Sequence, residues 1–338
     1  MSRGWIAAAV AVVLALLPSG ADAAEKLRIG VLRLASSGPV FVAADKGYFA
    51  AEGLDVELKF FDAAQPVAVA TVSGDVDIGV TGLTAGFFNL AGKGALRIVA
   101  AQSREEPGYH LDAWVASRQA YDAGLKTLAD LPGHSIGITQ VGSTFHYNVG
   151  LIAQKLQFPL TSLKLVPLQS MGNMASALRG GQVEAASVPA TLAAPLLAAG
   201  AVHLLGWVGD ETPWQLGAIF TTQRAISERH DTIAAAVRAY QKGARDFYDA
   251  FLKKGPDGKP MEGPTAPALL AVISKYTGLV PDQIRPGIPY VDPDGRLLVR
   301  DIYNQVAWYQ EQGLVDKDVD PKTIVDLSFV QGHYDVPK

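Results

Sequence analysis

The residues best placed to do chemistry in this chain are hydroxyls in turns, not nucleophiles or metal ligands. The chain has no cysteine, which removes thiolate nucleophiles, disulfides, zinc-thiolate sites and iron–sulfur clusters together. Its six histidines form no H-x-x-x-H or H-E-x-x-H pattern, so no metal and no cofactor is expected. No G-x-S-x-G, Walker loop or dinucleotide fingerprint follows residue 23, and no catalytic residue is assigned. What does recur is a pair of adjacent hydroxyls just past a short apolar run: Ser36-Ser37 before Gly38, and Ser143-Thr144 after Gly142. Such residues are ordinary helix N-caps. Two pairs at equivalent points also fit two halves of a clamp holding a ligand on helix N-termini.

Other residues extend this candidate site. The turn Thr81-Gly82-Leu83 has a glycine that permits close backbone approach, and its mate near Pro189 is read equally well as ordinary turn chemistry. Arg33 ends the first strand, where it is either a bidentate partner for a carboxylate or sulfonate or a plain exposed arginine. His110, His146 and Trp207 fall near the same turns, with Tyr109, Phe145, Tyr147 and Trp214. They are read either as core or as the wall for an apolar or aromatic ligand body.

The elements that must position these residues come in two copies. Leu27–Val31 and His134–Ile138 both read as short buried strands, 107 residues apart. The same offset relates Val56-Glu57-Leu58 to Leu163-Lys164-Leu165, Ser73–Asp77 to Gly180–Glu184, and Leu96-Arg97-Ile98 to His203-Leu204-Leu205. Helical stretches alternate with the strands, which predicts two α/β lobes with largely parallel sheets. Leu111–Val115 and Leu216–Phe220 follow the copies as crossover strands. Long helices over 226–253, 266–276 and 298–312 are expected to pack back on the first lobe.

Composition narrows the class. With 338 residues, 49% of them hydrophobic, and a net charge of −4, the chain is globular and long enough for two domains. The near-neutral charge excludes an electrostatic nucleic-acid binder. Residues 1–23 carry Arg3, an apolar run from Ile6 to Leu17, and Ala21-Asp22-Ala23, the layout of a cleaved secretory signal. Without a cysteine the exported protein cannot be a lipoprotein. A soluble, monomeric periplasmic protein is expected, not itself membrane-spanning.

The run from Ala43-Ala44-Asp45-Lys46-Gly47-Tyr48-Phe49 to Glu57 resembles a signature of periplasmic solute-binding proteins of the nitrate/sulfonate/taurine ABC transporter family. Ser73–Gly79 and Gly181–Ala185 resemble its later landmarks. The resemblance implies a type II periplasmic-binding-protein fold, two Rossmann-like lobes joined by two crossover strands with a ligand cleft between them. The boundaries expected are 24–107 with 215–338 for lobe I and 108–214 for lobe II. It further implies capture of a small molecule and delivery to an ABC permease with its cytoplasmic ATPase; Arg33 and the surrounding aromatics favour a small organic anion, an aromatic carboxylate or sulfonate. Many sulfonate-type members carry a Trp-Asp-Pro-like segment where this chain reads Ser187-Val188-Pro189, and the missing acid favours a pure anion. An enzyme on the same fold, like a pyrimidine-precursor synthase or a dehydratase, and a sensory binding protein are the alternatives.

Overall fold

The computed structural model describes residues 24–337; the expected export signal lies outside the described residues. Among the described residues, ten strands form two five-stranded sheets. The first holds β1 (Glu25–Leu32), β2 (Leu54–Phe61), β3 (Ile78–Gly82), β4 (Leu96–Ala101) and β10 (Gly217–Thr222), in the order β2-β1-β3-β10-β4. The second holds β5 (Asp112–Ser117), β6 (Ser135–Ile138), β7 (Lys164–Pro167), β8 (Ala185–Pro189) and β9 (Val202–Trp207), in the order β7-β6-β8-β5-β9. The helices are α1 (Gly38–Asp45), α2 (Tyr48–Ala51), α3 (Ala64–Ser73), α4 (Ala85–Gly92), α5 (Arg118–Asp122), α6 (Thr144–Lys155) and α7 (Met171–Arg179). They continue with α8 (Ala190–Ala198), α9 (Val208–Glu211), α10 (Gln223–Glu228), α11 (His230–Phe251), α12 (Ala266–Thr277), α13 (Pro281–Ile284) and α14 (Val299–Glu311).

The repeat extends to hydrogen-bond register. Ile29 opposes Ile78 in the first sheet and Ile136 opposes Ala185 in the second, both shifted by 107. Its acids do the same work twice. The Asp77 carboxylate accepts from the Arg28 N–H at 2.8 Å, and Glu184 accepts from the Ser135 N–H at 2.7 Å. Gly30 and Gly137 leave room for side chains covering the sheets: a Cβ there would meet Val67 at 3.0 Å and Leu168 at 3.2 Å. The crossover strand in each sheet, β10 or β5, runs antiparallel between two others and carries a bulge.

The signature around Gly47 is a docking device. Gly47 (φ 71°) ends α1 and Gly53 (φ 79°) turns the chain into β2. Lys46 and Tyr48 both reach Asp246 of α11 at 2.6 Å, while Glu52 takes Arg238 at 2.9 Å and Lys242 at 2.6 Å. This explains why the motif marks a fold and says nothing of a ligand.

The tail departs from expectation. α11 and α12 do cover the first lobe, through Ile233, Val237, Phe247 and Ile273. The single helix expected over 226–253 breaks at Arg229, whose guanidinium holds Glu25 and Asp77 beside the start of β1. α14 instead bridges the lobes: Tyr309 meets Phe88 of α4 and Tyr147 of α6, and Trp308 presses on Gly150 of α6. Gly287, in the turn after α13, lies against Thr191 and Ala190 of α8. The Trp308 contact needs only a residue without a side chain at Gly150, a signal that periodicity does not carry.

Candidate functional site

The carboxyl ends of both sheets face one cavity of about 400 Å³, the place where open α/β sheets bind ligands. From the first lobe come Leu34, Ala35 and Ser36 after β1, Gln65 at the start of α3, and Thr81, Gly82 and Thr84 around the β3–α4 turn. From the second come Thr139 to Phe145 after β6, Met171 at the start of α7, and Pro189 and Thr191 after β8. The crossovers contribute Gln102, Leu111, Asp112 and Leu216, and the tail contributes Gly287 and Leu314.

The lobes touch across this cavity. Ala85 donates its N–H to the Gly142 carbonyl at 2.9 Å. A Cβ on Gly82 would lie 2.6 Å from the Thr144 methyl, and one on Gly142 (φ 82°) would lie 2.9 Å from the Ala85 Cβ. Tyr309 of α14 donates to the Ser143 carbonyl at 3.0 Å. The conformation is closed.

Hydroxyls serve both readings weighed for them. Ser143 Oγ accepts from the His146 N–H at 3.3 Å and Thr84 Oγ1 from the Phe87 N–H at 3.1 Å, so both cap helices while lining the cavity. Thr81 Oγ1 and Gln102 Oε1 are buried without a partner among the described residues. Gln102 commits its Nε2 to the Ser36 carbonyl at 3.1 Å, which leaves an acceptor to spare.

Of the residues expected from sequence, Ser36, Thr81, Gly82, Gly142, Ser143, Thr144 and Pro189 line the cavity. Seven others do not. Arg33 turns away: its guanidinium donates to the Tyr276 carbonyl at 2.8 Å and lies 3.8 Å over the Phe60 ring. Ser37 is fully buried outside the lining, and Gly38 faces Phe247 of α11. Leu83 is sealed in the core, its N–H on the Leu216 carbonyl. His110 and Trp207 stack on each other with ring centroids 4.0 Å apart, satisfying their aromatic faces. His146 sits behind the wall, its Nδ1 accepting from the Gly142 N–H at 3.0 Å. Burial lowers the His146 pKa to about 4, so it is neutral and shapes the turn.

Charge is where the sequence reading changes most. No Arg, Lys or His lines the cavity among the described residues; its one charged lining residue is Asp112. Behind it lies Glu105, fully buried on the first crossover, whose backbone pairs with Trp214 on the second. Burial pushes Asp112 up to about 7. Burial, and then the adjacent Asp112 carboxylate, hold Glu105 well above the usual carboxylate range. The acid missing from 187–189 is thus supplied next door, since Asp112 is the ladder partner of Pro189. Its signal was a lone acid opening the otherwise apolar Leu111–Val115 run.

Among the described residues, no group of three or more His, Asp and Glu gathers to hold a metal, and no helix is long and apolar enough to cross a membrane.

Comparison with known proteins follows from this geometry. The family profile described as NMT1/THI5 like matches residues 35–250. Among solved structures, the chain is similar to the alkanesulfonate-binding protein SsuA from Xanthomonas axonopodis pv. citri, bound to MOPS. That likeness has a TM-score of 0.71 and 18% identity, over 90% of this chain and 98% of that one. It is also similar to the periplasmic aliphatic sulphonate binding protein SsuA from Escherichia coli (TM-score 0.69, 18% identity, 93% and 97% covered). The periplasmic nitrate-binding protein NrtA from Synechocystis PCC 6803 is a further neighbour (TM-score 0.67, 13% identity, 88% and 84% covered). No curated protein matches the chain in sequence. The likenesses identify the two-lobed periplasmic-binding-protein fold.

Proposed function

Since this chain belongs to the NMT1/THI5-like family, we propose that it is the solute-binding component of an ABC importer. It captures a small organic molecule between its lobes in the periplasm and hands it to an inner-membrane permease driven by a cytoplasmic ATPase. The observation that carries this reading is the cavity itself. Equivalent turns of two repeat copies meet around about 400 Å³, with the capped helix N-termini at Thr84 and Ser143 in its lining. Closure around a solute is a hinge motion at the crossovers, and the closed form is stabilised only as far as the solute prefers it. Lobe I comprises residues 24–107 and 215–338, lobe II residues 108–214, and the exported protein is a free monomer.

The anion favoured from sequence rested on Arg33, which points elsewhere, on the acid missing from 187–189, which Asp112 supplies next door, and on the nearby aromatics. Helix N-termini and hydroxyls still offer donors for a carboxylate or sulfonate end. Native mass spectrometry of protein purified without denaturation, followed by thermal shift with the mass-matched compound, tests the reading. Stabilisation rising with solute concentration is expected. A catalytic role has one observation in its favour, the likeness to the desulfurization enzyme DSZB (TM-score 0.60, 14% identity). Mass spectrometry showing the bound compound chemically converted would replace transport by catalysis.

A further inference from the structure

Two carboxyl groups at the hinge lack the partners that burial demands. Asp112 is buried in the cavity wall, and the one donor side chain reaching it is Asn148, at 3.5 Å from its Nδ2. That amide is better engaged with Ser187 Oγ at 2.9 Å. Glu105 is completely buried behind Asp112, and neither of its oxygens has a hydrogen-bond partner among the described residues. The backbone N–H groups of Asp112 and Gly209 only lean towards it. Adjacent buried carboxyls do not both ionise, and Glu105, the more deeply buried, is the neutral member.

The rest of the wall agrees in sign. No cationic side chain lines the cavity among the described residues, and its polar lining residues other than Asp112, Gln65, Thr81, Gln102 and Thr139 among them, are neutral. Leu34, Leu111, Phe145 and Leu216 supply apolar contact. A pocket with an acid and no cationic side chain favours a solute carrying a cation over a lone anion.

We propose that the Asp112–Glu105 pair is a specificity subsite, at which Asp112 binds a protonated nitrogen on the solute and Glu105 holds the proton that tunes it. This rests on the solute-binding reading above and names its substrate class: an organic cation or zwitterion with an apolar body. Binding forms the ion pair N⁺–H···⁻O–C at Asp112; the proton that Asp112 carries before binding goes to solvent, and Glu105 keeps its own. The groups facing Asp112 are Glu105 from the crossover, Asn148 from α6 and Ser187 from β8. Glu105 is the titratable one among them.

The test screens the full chain by thermal shift with matched probes: benzylammonium, benzamidinium, benzoate, benzenesulfonate and benzyl alcohol, beside a library of biological amines, carboxylates, sulfonates and amides. The strongest binder is then titrated calorimetrically at pH 6 in two buffers of different ionisation enthalpy. Nitrogen-cation binders with net proton release are expected. Asp112→Asn should weaken them about 10- to 100-fold, the loss of a charge-assisted contact. Glu105→Gln, which mimics the neutral acid, should retain both the binding and the proton release, since the proton leaves Asp112; loss of the release overturns the subsite, so the proposal stands or falls even if the Asp112 variant misfolds. Stabilisation confined to pure anions, proton uptake, or unchanged affinity in Asp112→Asn overturns the subsite and leaves the solute-binding reading intact. Stabilisation by no class of compound overturns both.

Discussion

Gly82→Ala is the sharpest probe of lobe closure, because at that residue one methyl separates the two lobes. The added Cβ would lie 2.6 Å from Thr144 Cγ2, whereas its next neighbours, Leu216 Cδ2 and O, stand at 3.5 and 3.6 Å. Carbon atoms settle at about 3.5–4.0 Å, so the lobes must part by about 1 Å or the β3–α4 turn must deform. Overpacking of this kind costs about 1–3 kcal/mol. The contact crosses between lobes, so the cost falls on the closed form and appears as weaker binding. At 1.4 kcal/mol per tenfold, the expected loss of apparent affinity is about 5- to 150-fold. Titration calorimetry with the identified solute measures it, and small-angle scattering follows compaction on solute addition. Thr144→Ser removes the offending methyl and keeps the hydroxyl, so the double variant should recover most of the affinity. Unchanged binding in Gly82→Ala, or a loss that Thr144→Ser fails to rescue, refutes this account of closure.

Three further outcomes follow. Arg33→Ala should leave solute affinity within about twofold in the same titration, since the guanidinium is spent on Tyr276 and Phe60. Gly150→Ala should lower the melting temperature, because its Cβ would fall 2.1 Å from Trp308 Cζ2; a loss of about 1–3 kcal/mol is expected in denaturant melts. Burial raises the Asp301 pKa from 3.8 to about 6, although it accepts from the Gln215 N–H and the Gln305 amide. The native state therefore binds more protons there than the unfolded chain between about pH 4 and 6, and its stability contribution falls as pH rises through that window. Asp301→Asn should gain on the wild type in melting temperature as pH goes from 4 to 7; parallel curves would exclude it.

The architecture was readable from sequence because both lobes repeat one pattern of strands and acids. The offset between Leu27–Val31 and His134–Ile138 already carried the pairing, since sheet register follows the apolar pattern. The turns were readable too: Ser36, Thr81, Gly82 and Gly142–Thr144 sit where strand ends must place them. Side-chain direction was not. Arg33 lies past the end of β1, where alternation no longer dictates a face, and Phe60 and Tyr276 come from distant segments. His110 and Trp207 look like cleft residues in one dimension but satisfy each other in three. Asp112 was passed over as part of a strand, because its exposure to the cavity depends on where the crossover enters the second sheet. α14 was assigned to one lobe, since only the absence of a side chain at Gly150 announces its second partner.

The strand order has a consequence for how the chain reaches this state. All five strands of the second sheet lie between residues 112 and 207, so that sheet can close from one continuous segment. The first sheet cannot: β3 and β4 are held apart until β10, starting at Gly217, slots between them. In a chain emerging from its N-terminus, the earlier-made lobe must therefore wait, with its apolar strands incomplete, for the later-made lobe to pass. Pairing partners so distant in sequence are slow to meet. Pulsed hydrogen exchange during refolding should accordingly find amides of β5–β9 protected before those of β3 and β4.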